Sequence, residues 1–287
     1  MASTFLPRFR GFFFIIWAYI WASLNPSQYR YAWLPCCKEN WRQHDCTYIR
    51  LLRIVRVDDK RIECSLSDHE LLQSNLRYHC LSYTWGDPFP PPKNPLPILP
   101  LPWYWRIFRE DRQSPGYVVV CDGREIPISY NLWTALSCLR EKCWPELDAI
   151  WIDQICINQR DGSKIEKNSQ VSAMNHIYEG AESVVVWLGP ERDPVENLSL
   201  VMDVGEELAR LEREYELKDT TDVYRFDNFR AQLTGRFSIE HWASLHYFLC
   251  RSYFNRMWIL QEVVVAKQLR IFCGNTKVLW KTVHNVS

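Results

Sequence analysis

The sequence has no excess of charge of either sign. Its 34 lysines and arginines balance its 34 aspartates and glutamates, so the formal net charge is zero. No long basic run occurs anywhere in the chain. Proteins that bind nucleic acid concentrate positive charge on the surface that meets the phosphates. We therefore expect no nucleic-acid partner.

Metal-binding motifs and phosphate-binding loops are also missing. The 11 cysteines are odd in number, and they show neither the CxxC spacing nor the clustering with histidine that zinc sites use. Only 10 glycines occur, and none of them forms a phosphate-binding loop. These absences predict no metal site and no required cofactor. Scattered cysteines of this kind indicate reduced thiols, and we expect the protein in the cytoplasm.

The sequence contains no apolar run long enough to cross a membrane as a helix. Residues 11–24 form an apolar run that is shorter than the roughly 20 residues of a membrane-spanning helix. Arg8 and Arg10 precede it, as basic residues precede the core of a signal peptide. We predict residues 1–45 to be an apolar segment and linker. Three interpretations stay open for it: membrane contact through residues 11–24, a hydrophobic packing arm, or a cleaved signal.

What is present is an alternation of buried strands and amphipathic helices. The isoleucine-rich run at residues 149–159 predicts a fully buried strand that delivers the polar side chains of Asp153 and Asn158 at its end. One helix pattern precedes this run at residues 131–142, another follows at 166–178, and a second buried strand occupies 183–189. Strands that alternate with helices indicate a parallel sheet covered by helices.

The predicted fold class is α/β, with a flavodoxin-like, mostly parallel sheet of about five strands flanked by helices. We expect the doubly wound strand order 2-1-3-4-5. This order brings the ends of the strands containing Leu81 and Val184 to the switch point, where such sheets bind ligands. Asp153 is then expected near the same rim.

The strand predicted at residues 78–87 ends in Trp85, Gly86 and Asp87. Gly86 permits a sharp turn and a close approach of the backbone to a ligand. Trp85, which precedes it, is one of 14 tryptophans, several of them at the predicted ends of strands. A flat ring in such a place either walls a pocket or closes the core.

The margins of the sheet are predicted to be hairpins and insertions. Alternating apolar residues around polar turns predict hairpins at residues 48–66 and 117–128. Nine prolines occur in residues 88–116 and exclude regular structure there, so we predict a peripheral Pro-rich insert. Residues 191–236 are predicted to be a helical insert, and the whole α/β domain to span residues 46–287.

Glu262 stands out in the last helix pattern, residues 253–266, because apolar residues occur all round that helix. At 3.6 residues per turn, Asn255, Trp258 and Glu262 lie on one stripe. Two interpretations stay open for this carboxylate. It pairs with a fixed base such as Arg256 or Arg251, or it is kept for use in a cleft.

Several motifs resemble the three signature blocks of the fungal heterokaryon incompatibility (HET) domain, in the family's order. They are Tyr78-x-x-Leu-Ser-Tyr-x-Trp-Gly-Asp87, Trp151-Ile-Asp-x-x-Cys-Ile-Asn-Gln159, Val186-Trp-Leu-Gly189 and Arg256-x-Trp-x-x-Gln-Glu262. The resemblance runs from about residue 47 to residue 275. The HET family is implicated in self/non-self recognition and the death of fused cells, usually as the effector half of a longer receptor-like protein. The resemblance implies the same role here.

A weaker similarity is to the Toll/interleukin-1 receptor (TIR) domain, a flavodoxin-like fold of which some members hydrolyse NAD. Residues 252–262 look like the serine-tryptophan-glutamate helix of that family. By this similarity Glu262 is the candidate catalytic residue and NAD(P) the candidate substrate. A carboxylate there stabilises the positive charge that develops on ribose as nicotinamide leaves. The candidate nucleotide site comprises Tyr83, Trp85, Gly86, Asp153 and Trp258, with Trp85 or Trp258 stacking on a ring.

Two functional hypotheses of different class follow. In the first, the chain is an effector of regulated cell death that hydrolyses NAD(P). In the second, it is a non-enzymatic signalling module that associates with like domains or with a receptor-like partner protein. The resemblance to the HET family supports a role in cell death under both hypotheses.

Overall fold

The computed structural model describes residues 29, 31, 32, 34, 48–58, 61–89, 117–143, 148–159, 165–191, 196–215, 236–256 and 259–279. Within these residues the chain folds around one mixed sheet. Nearly every residue of its central strands is buried, as expected of apolar runs that are covered on both faces.

Nine strands and six α-helices occur in the described residues. The strands are β1 (Tyr48–Asp58), β2 (Arg61–Glu70), β3 (His79–Tyr83), β4 (Val118–Cys121), β5 (Arg124–Pro127), β6 (Ile150–Trp151), β7 (Ser183–Trp187), β8 (Leu269–Cys273) and β9 (Thr276–Val278). The helices are α1 (Tyr130–Cys143), α2 (Asp153–Cys156), α3 (Ile165–Gly180), α4 (Leu198–Tyr215), α5 (Ile239–Leu249) and α6 (Ile259–Val264), with a 3-10 helix at Ser252–Asn255. The predicted α/β class is thus confirmed.

Four parallel strands form the centre of the sheet, in the spatial order β6-β3-β7-β8. Numbered along the chain, this order is 2-1-3-4. The chain runs from β3 to β6 on one side and then crosses back over β3 to β7 on the other. The ends of β3 and β7 therefore lie side by side at a switch point.

The sheet is larger and more mixed than predicted. The β1–β2 hairpin joins the centre through antiparallel pairing of β1 with β6, and the β4–β5 hairpin extends this side through β2. On the other side β9 pairs antiparallel with β8. The predicted flavodoxin-like sheet of about five strands is therefore not confirmed. The hairpins expected at the margins continue the central sheet and bury their apolar residues in the same core.

Helices cover both faces of the central strands. On one face the indole nitrogen of Trp187 on β7 donates to Oδ1 of Asn131 on α1, 2.9 Å away. On the other face the Trp151 ring of β6 meets Tyr178 of α3 edge-on, with ring centroids 5.6 Å apart. Since successive residues of a strand point to opposite faces, both sets of side chains meet a helix and both are buried.

The isoleucine-rich run that predicts one long strand changes conformation halfway. β6 covers only Ile150–Trp151, and Asp153 begins the short helix α2, whose Ile155 and Cys156 are buried. Periodicity alone does not distinguish a short buried strand from a buried helical turn. Asp153 therefore stands in the first turn of a helix, just past the end of β6.

The single helix predicted over residues 253–266 is wrong. A 3-10 helix ends at Asn255, Arg256 has an extended backbone with φ −84° and ψ 133°, and α6 begins at Ile259. The break turns the Arg256 side chain back toward α6, where it meets Glu262. The apolar pattern reports only which residues are buried. It does not reveal this break, across which the polar side chains of Arg256 and Glu262 form their ion pair.

Part of the predicted N-terminal linker packs against the domain. The backbone nitrogen of Tyr29 donates to a carbonyl of β5 at 2.9 Å, and the hydroxyl of Tyr31 donates to a carbonyl of α2 at 2.8 Å. Leu34 is fully buried. These residues therefore belong to the packed structure, whereas residues 11–24 lie outside the described part.

Two predicted insertions lie largely outside the described residues. Of the Pro-rich insert only Pro88 and Phe89 are described, so the prediction that it is peripheral stays a prediction. In the helical insert, α4 packs against α5. Within the described residues, none of the helices has both the length and the apolar character needed to cross a membrane.

Candidate functional site

The polar residues of the candidate site gather where β3 ends. Its last residues, Ser82 and Tyr83, point to opposite faces of the sheet and are both buried. The chain then leaves the sheet through Thr84 and Trp85, and the Trp85 side chain reaches Asp153 at the start of α2. This is the switch-point edge at which doubly wound sheets bind ligands.

Two donors hold the Asp153 carboxylate at this rim. Its Oδ2 accepts a hydrogen bond from the indole nitrogen of Trp85 at 2.7 Å, and its Oδ1 accepts one from the backbone nitrogen of Gln154 at 2.7 Å. Trp85 is 36% exposed. The Trp85–Asp153 contact therefore lies at the boundary between the core and solvent.

Burial raises the pKa of the Asp153 carboxyl from its usual value of 3.8 to about 6. The Trp85 hydrogen bond and the positive charge of Arg256 oppose this rise, whereas the negative charge of Glu262 adds to it. Glu262 is thus near enough for its charge to affect the Asp153 carboxyl. The rim holds two carboxylates and one guanidinium.

Glu262 forms an ion pair with Arg256 and is only 1% exposed. Nη2 of Arg256 donates to Oε1 at 2.9 Å, and Nη1 donates to Oε2 at 3.2 Å. The Ser82 hydroxyl donates to the same carboxylate, and the Tyr253 hydroxyl oxygen lies 2.8 Å from Ser82 Oγ. Burial lowers the pKa of Arg256, but the Glu262 charge and hydrogen bond, together with Tyr178 and Tyr253, outweigh burial, so the pKa is raised and the guanidinium stays charged.

The other three residues of the predicted nucleotide site are Tyr83, Gly86 and Trp258. Tyr83 is buried beneath the rim, where its hydroxyl donates to Oε1 of Gln154 at 3.0 Å and so supports α2. Around Gly86, apart from this residue and its two chain neighbours, no described heavy atom lies within 4 Å of the position that a Cβ would take. Among the described residues, the space above this backbone is therefore open. Trp258 lies outside the described residues, so its stacking role stays a prediction.

Ser82, Thr84 and Tyr253 are site residues that the sequence patterns do not identify. Of these three residues, only Ser82 could have been noticed in the sequence. It lies inside an apolar strand pattern, and a buried hydroxyl there needs a hydrogen-bond partner. The Thr84 hydroxyl oxygen is buried without a hydrogen-bond partner among the described residues. Burying a hydroxyl without a partner costs free energy.

A second buried ion pair fixes the end of β7. The side chains of Arg251 and Glu196 are both 0% exposed, with Nε to Oε1 at 2.8 Å and Nη2 to Oε2 at 2.9 Å. Nη1 donates to the Leu188 carbonyl at 2.8 Å, and the guanidinium lies over the Phe89 ring. The turn after β7 also needs Gly189, whose φ of 106° other residues rarely adopt. Arg251 is thus committed to Glu196 and not to Glu262.

The region from residue 78 to residue 262 matches a family model described as heterokaryon incompatibility protein (HET). This region covers well over half of the chain. The chain belongs to the HET family. The match begins beside β3 and ends at Glu262, so it contains every described residue of the candidate site.

A curated relative of this HET domain is "Heterokaryon incompatibility protein 6, OR allele" from Neurospora crassa, which is 30% identical over 226 residues. The match covers 71% of this chain and 32% of the relative, so the chain spans about a third of the relative's length. No solved structure is matched. The family membership implied by the sequence motifs is confirmed.

The charged side chains of the HET site indicate what it can bind or stabilise. In the described part of the chain, no group of three or more His, Cys, Asp or Glu is placed to hold a metal ion. Two carboxylates can stabilise a developing positive charge. A partly exposed guanidinium can bind a phosphate through two hydrogen bonds.

The raised pKa of Asp153 predicts a pH-dependent stability of this HET domain. Between about pH 4 and about pH 6 the folded protein binds this proton more tightly than the unfolded chain does, so the free energy of unfolding falls as the pH rises through that window. Asp153→Asn removes this contribution. From about pH 4 to about pH 7 we expect the wild-type protein to lose on the order of 1–3 kcal/mol relative to the variant.

Urea titrations of the wild-type protein and Asp153→Asn at the two ends of this window measure the effect. Asp148→Asn is the control, because it removes one carboxylate at an exposed position. A difference between the wild-type protein and Asp153→Asn that does not change with pH would contradict the prediction.

Proposed function

We propose that this HET domain is an effector of fungal self/non-self recognition that triggers the regulated death of fused cells by hydrolysing NAD(P). Membership in the HET family and the similarity to a heterokaryon incompatibility protein support the incompatibility role. One observation supports the chemical part: Glu262, Arg256 and Asp153 stand together at the switch-point rim, beside the partly exposed Trp85.

Glu262 supplies the negative charge that the reaction needs. Positive charge develops on the ribose as the bond to nicotinamide breaks, and a carboxylate in a low-dielectric site stabilises it. Ser82 donates to this carboxylate from β3 and holds its orientation. Water then attacks the ribose and completes the hydrolysis.

Arg256 controls access to that carboxylate. Its side chain is 19% exposed, whereas that of Glu262 is 1% exposed. Guanidinium groups bind phosphate oxygens as well as they bind carboxylates. The pyrophosphate of the dinucleotide therefore competes with Glu262 for Arg256, and movement of Arg256 toward the phosphates uncovers Glu262.

Residues at the rim hold the rest of the dinucleotide. The Trp85 ring offers a partly exposed face for stacking on a base. Among the described residues nothing fills the space above the Gly86 backbone, so the ligand can approach this backbone closely. Trp258 is the second candidate for stacking.

The alternative is a non-enzymatic module that acts by self-association or through a receptor-like partner. A specific observation favours it: both oxygens of Glu262 are engaged by Arg256 and Ser82, as in an ion pair that only stabilises the fold. On the same helix Val264 is 76% exposed. Contact between copies would remove this apolar side chain from water.

Nicotinamide release by the purified chain tests the proposal. We expect release from NAD or NADP that rises more steeply than in proportion to protein concentration, because association assembles the active form. Sedimentation over the same concentration range reports association independently. Association without release at any concentration would reject hydrolysis and leave the assembly module.

Two variants refine this assay. Trp85→Ala is expected to raise the KM for NAD about tenfold, since loss of one base-stacking ring costs roughly 1–3 kcal/mol. Leu72→Ala is the matched control, because it truncates an exposed apolar side chain on a different part of the domain. Equal KM values for the two variants would remove Trp85 from the binding site.

A further inference from the structure

Two buried cysteines meet at the margin of the sheet, with β1 and β6 between them and β3. Cys64 on β2 and Cys121 on β4 are direct partners in the parallel register of these strands. Both are free thiols, and their sulfur atoms lie 3.2 Å apart. Neighbouring strands lie roughly 4.8 Å apart, within the Cα separations of roughly 4.4–6.8 Å that disulfides join. A small side-chain movement therefore brings the sulfur atoms to bonding distance.

We infer that Cys64 and Cys121 form an oxidation site, at which a hydroperoxide converts the two thiols into a disulfide that ties β2 to β4. The inference rests on the register of the two strands and the distance between the sulfur atoms. It is independent of NAD(P) hydrolysis and of every residue at the rim of β3.

The reaction balances with hydrogen peroxide as the oxidant. The Cys64 sulfur attacks one oxygen, the O–O bond breaks, and the thiol proton leaves with the released hydroxide as water, which gives a sulfenic acid. The Cys121 sulfur then attacks the Cys64 sulfur, and the S–O bond breaks with loss of a second water. Cys64 reacts first, because it is 4% exposed and Cys121 is 0% exposed.

In the folded sheet the two thiols are protected from the oxidant until the β4–β5 hairpin at its margin opens locally. The hydrogen bond to Cys121 and burial raise the pKa of the Cys64 thiol, so little reactive thiolate is present in the folded state. β4 and β5 have only four residues each, and short strands near an edge open locally at low cost. Opening admits the oxidant to Cys64, and closing returns Cys121 to the sulfenic acid.

The disulfide closes a loop between Cys64 and Cys121 that contains β3 and the Pro-rich insert. Closing a loop of this length restricts the unfolded chain more than the folded one. We expect the oxidised protein to melt about 5 °C above the reduced protein.

Peptide mapping of the full chain after treatment with hydrogen peroxide tests the inference. We expect a cross-link between the tryptic peptides 62–77 and 113–124, each of which contains a single cysteine. Dithiothreitol should reverse both the cross-link and the shift in melting temperature. Urea below the unfolding transition should speed the cross-linking severalfold, because it increases opening of the hairpin.

Two variants identify the roles of the thiols. In Cys121→Ala the cross-link should be lost, and dimedone should trap a sulfenic acid on Cys64. Cys138→Ala is the control, because it removes a partly exposed thiol from α1 and should leave the cross-link and the melting shift unchanged. The wild-type peptide map decides the question even if a variant folds poorly.

Two outcomes would overturn the inference. In one, Cys64 and Cys121 stay reduced, with and without urea, after the partly exposed Cys138 and Cys250 are fully oxidised. In the other, Cys64 is found joined to the tryptic peptide that contains Cys156 instead of the one that contains Cys121.

Discussion

Replacing Glu262 with glutamine is expected to abolish nicotinamide release and cell death, and to lower the free energy of unfolding by about 3 kcal/mol. The variant leaves Arg256 without its buried counter-charge. Breaking such a pair costs roughly 3–5 kcal/mol, and the 19% exposure of the Arg256 side chain places the cost at the lower end. Activity and stability must therefore be measured separately.

Kinetics well below the melting temperature separate these two effects. If Glu262 is catalytic, the folded Glu262→Gln protein releases no nicotinamide, even though circular dichroism matches the wild type. The double variant Glu262→Gln/Arg256→Gln removes both charges, so it should regain part of the lost stability but none of the activity. Glu182→Gln is the matched control, because it breaks the exposed pair with Arg77 and should change neither quantity by much.

The contrary result is equally definite. A folded Glu262→Gln protein that still kills cells when overexpressed would remove the hydrolase hypothesis. The Arg256–Glu262 pair would then be a structural ion pair, and self-association would be the remaining function. Loss of killing with normal self-association would instead support catalysis.

Replacing Arg251 with methionine is expected to lower the free energy of unfolding by about 4 kcal/mol, the largest effect on stability that we predict. The variant leaves the fully buried Glu196 carboxylate without its partner. It also removes the donors that satisfy the carbonyls of Leu188 and Pro190 after β7. Each of these losses is a known source of large destabilisation.

A small set of variants isolates the ion pair from the packing of the side chain. Arg77→Met makes the same substitution at an exposed pair, where we expect a loss of at most about 1 kcal/mol. The double variant Arg251→Met/Glu196→Leu removes the stranded charge and should recover part of the loss. Urea denaturation that finds Arg251→Met as mild as Arg77→Met would contradict the proposed role of this pair.

The sequence predicts more of the fold than of the site. The runs that form β3 and β7, and the helices α1 and α3, appear in the sequence as apolar patterns, because burial on a face depends on spacing along the chain. The run after residue 149 misleads, because a strand and a helical turn bury isoleucine equally well. β9 has only three residues, which is too few to produce a recognisable alternation.

The candidate site shows the same division. Asp153 and Trp85 are predicted at the ends of strands, and the structure places them in contact. The role of Ser82 is not predicted, because it depends on Glu262, which lies 180 positions further along the chain. The partner of Glu262 also stays open in the sequence, where Arg251 and Arg256 are both candidates.

By itself the sequence determines that this is an α/β protein of the HET family, with polar residues at the ends of buried strands. These properties depend on residue types at short spacings, which are local features of the chain. The tertiary structure alone decides that Arg256 pairs with Glu262, that Arg251 pairs with Glu196, and that Cys64 meets Cys121. The first contact depends on a break in the backbone, the second joins residues 55 positions apart in the chain, and the third depends on the register of two strands. The position of a backbone break and the register of a strand are both set by the packing of the whole sheet. This packing joins residues that are far apart in the chain.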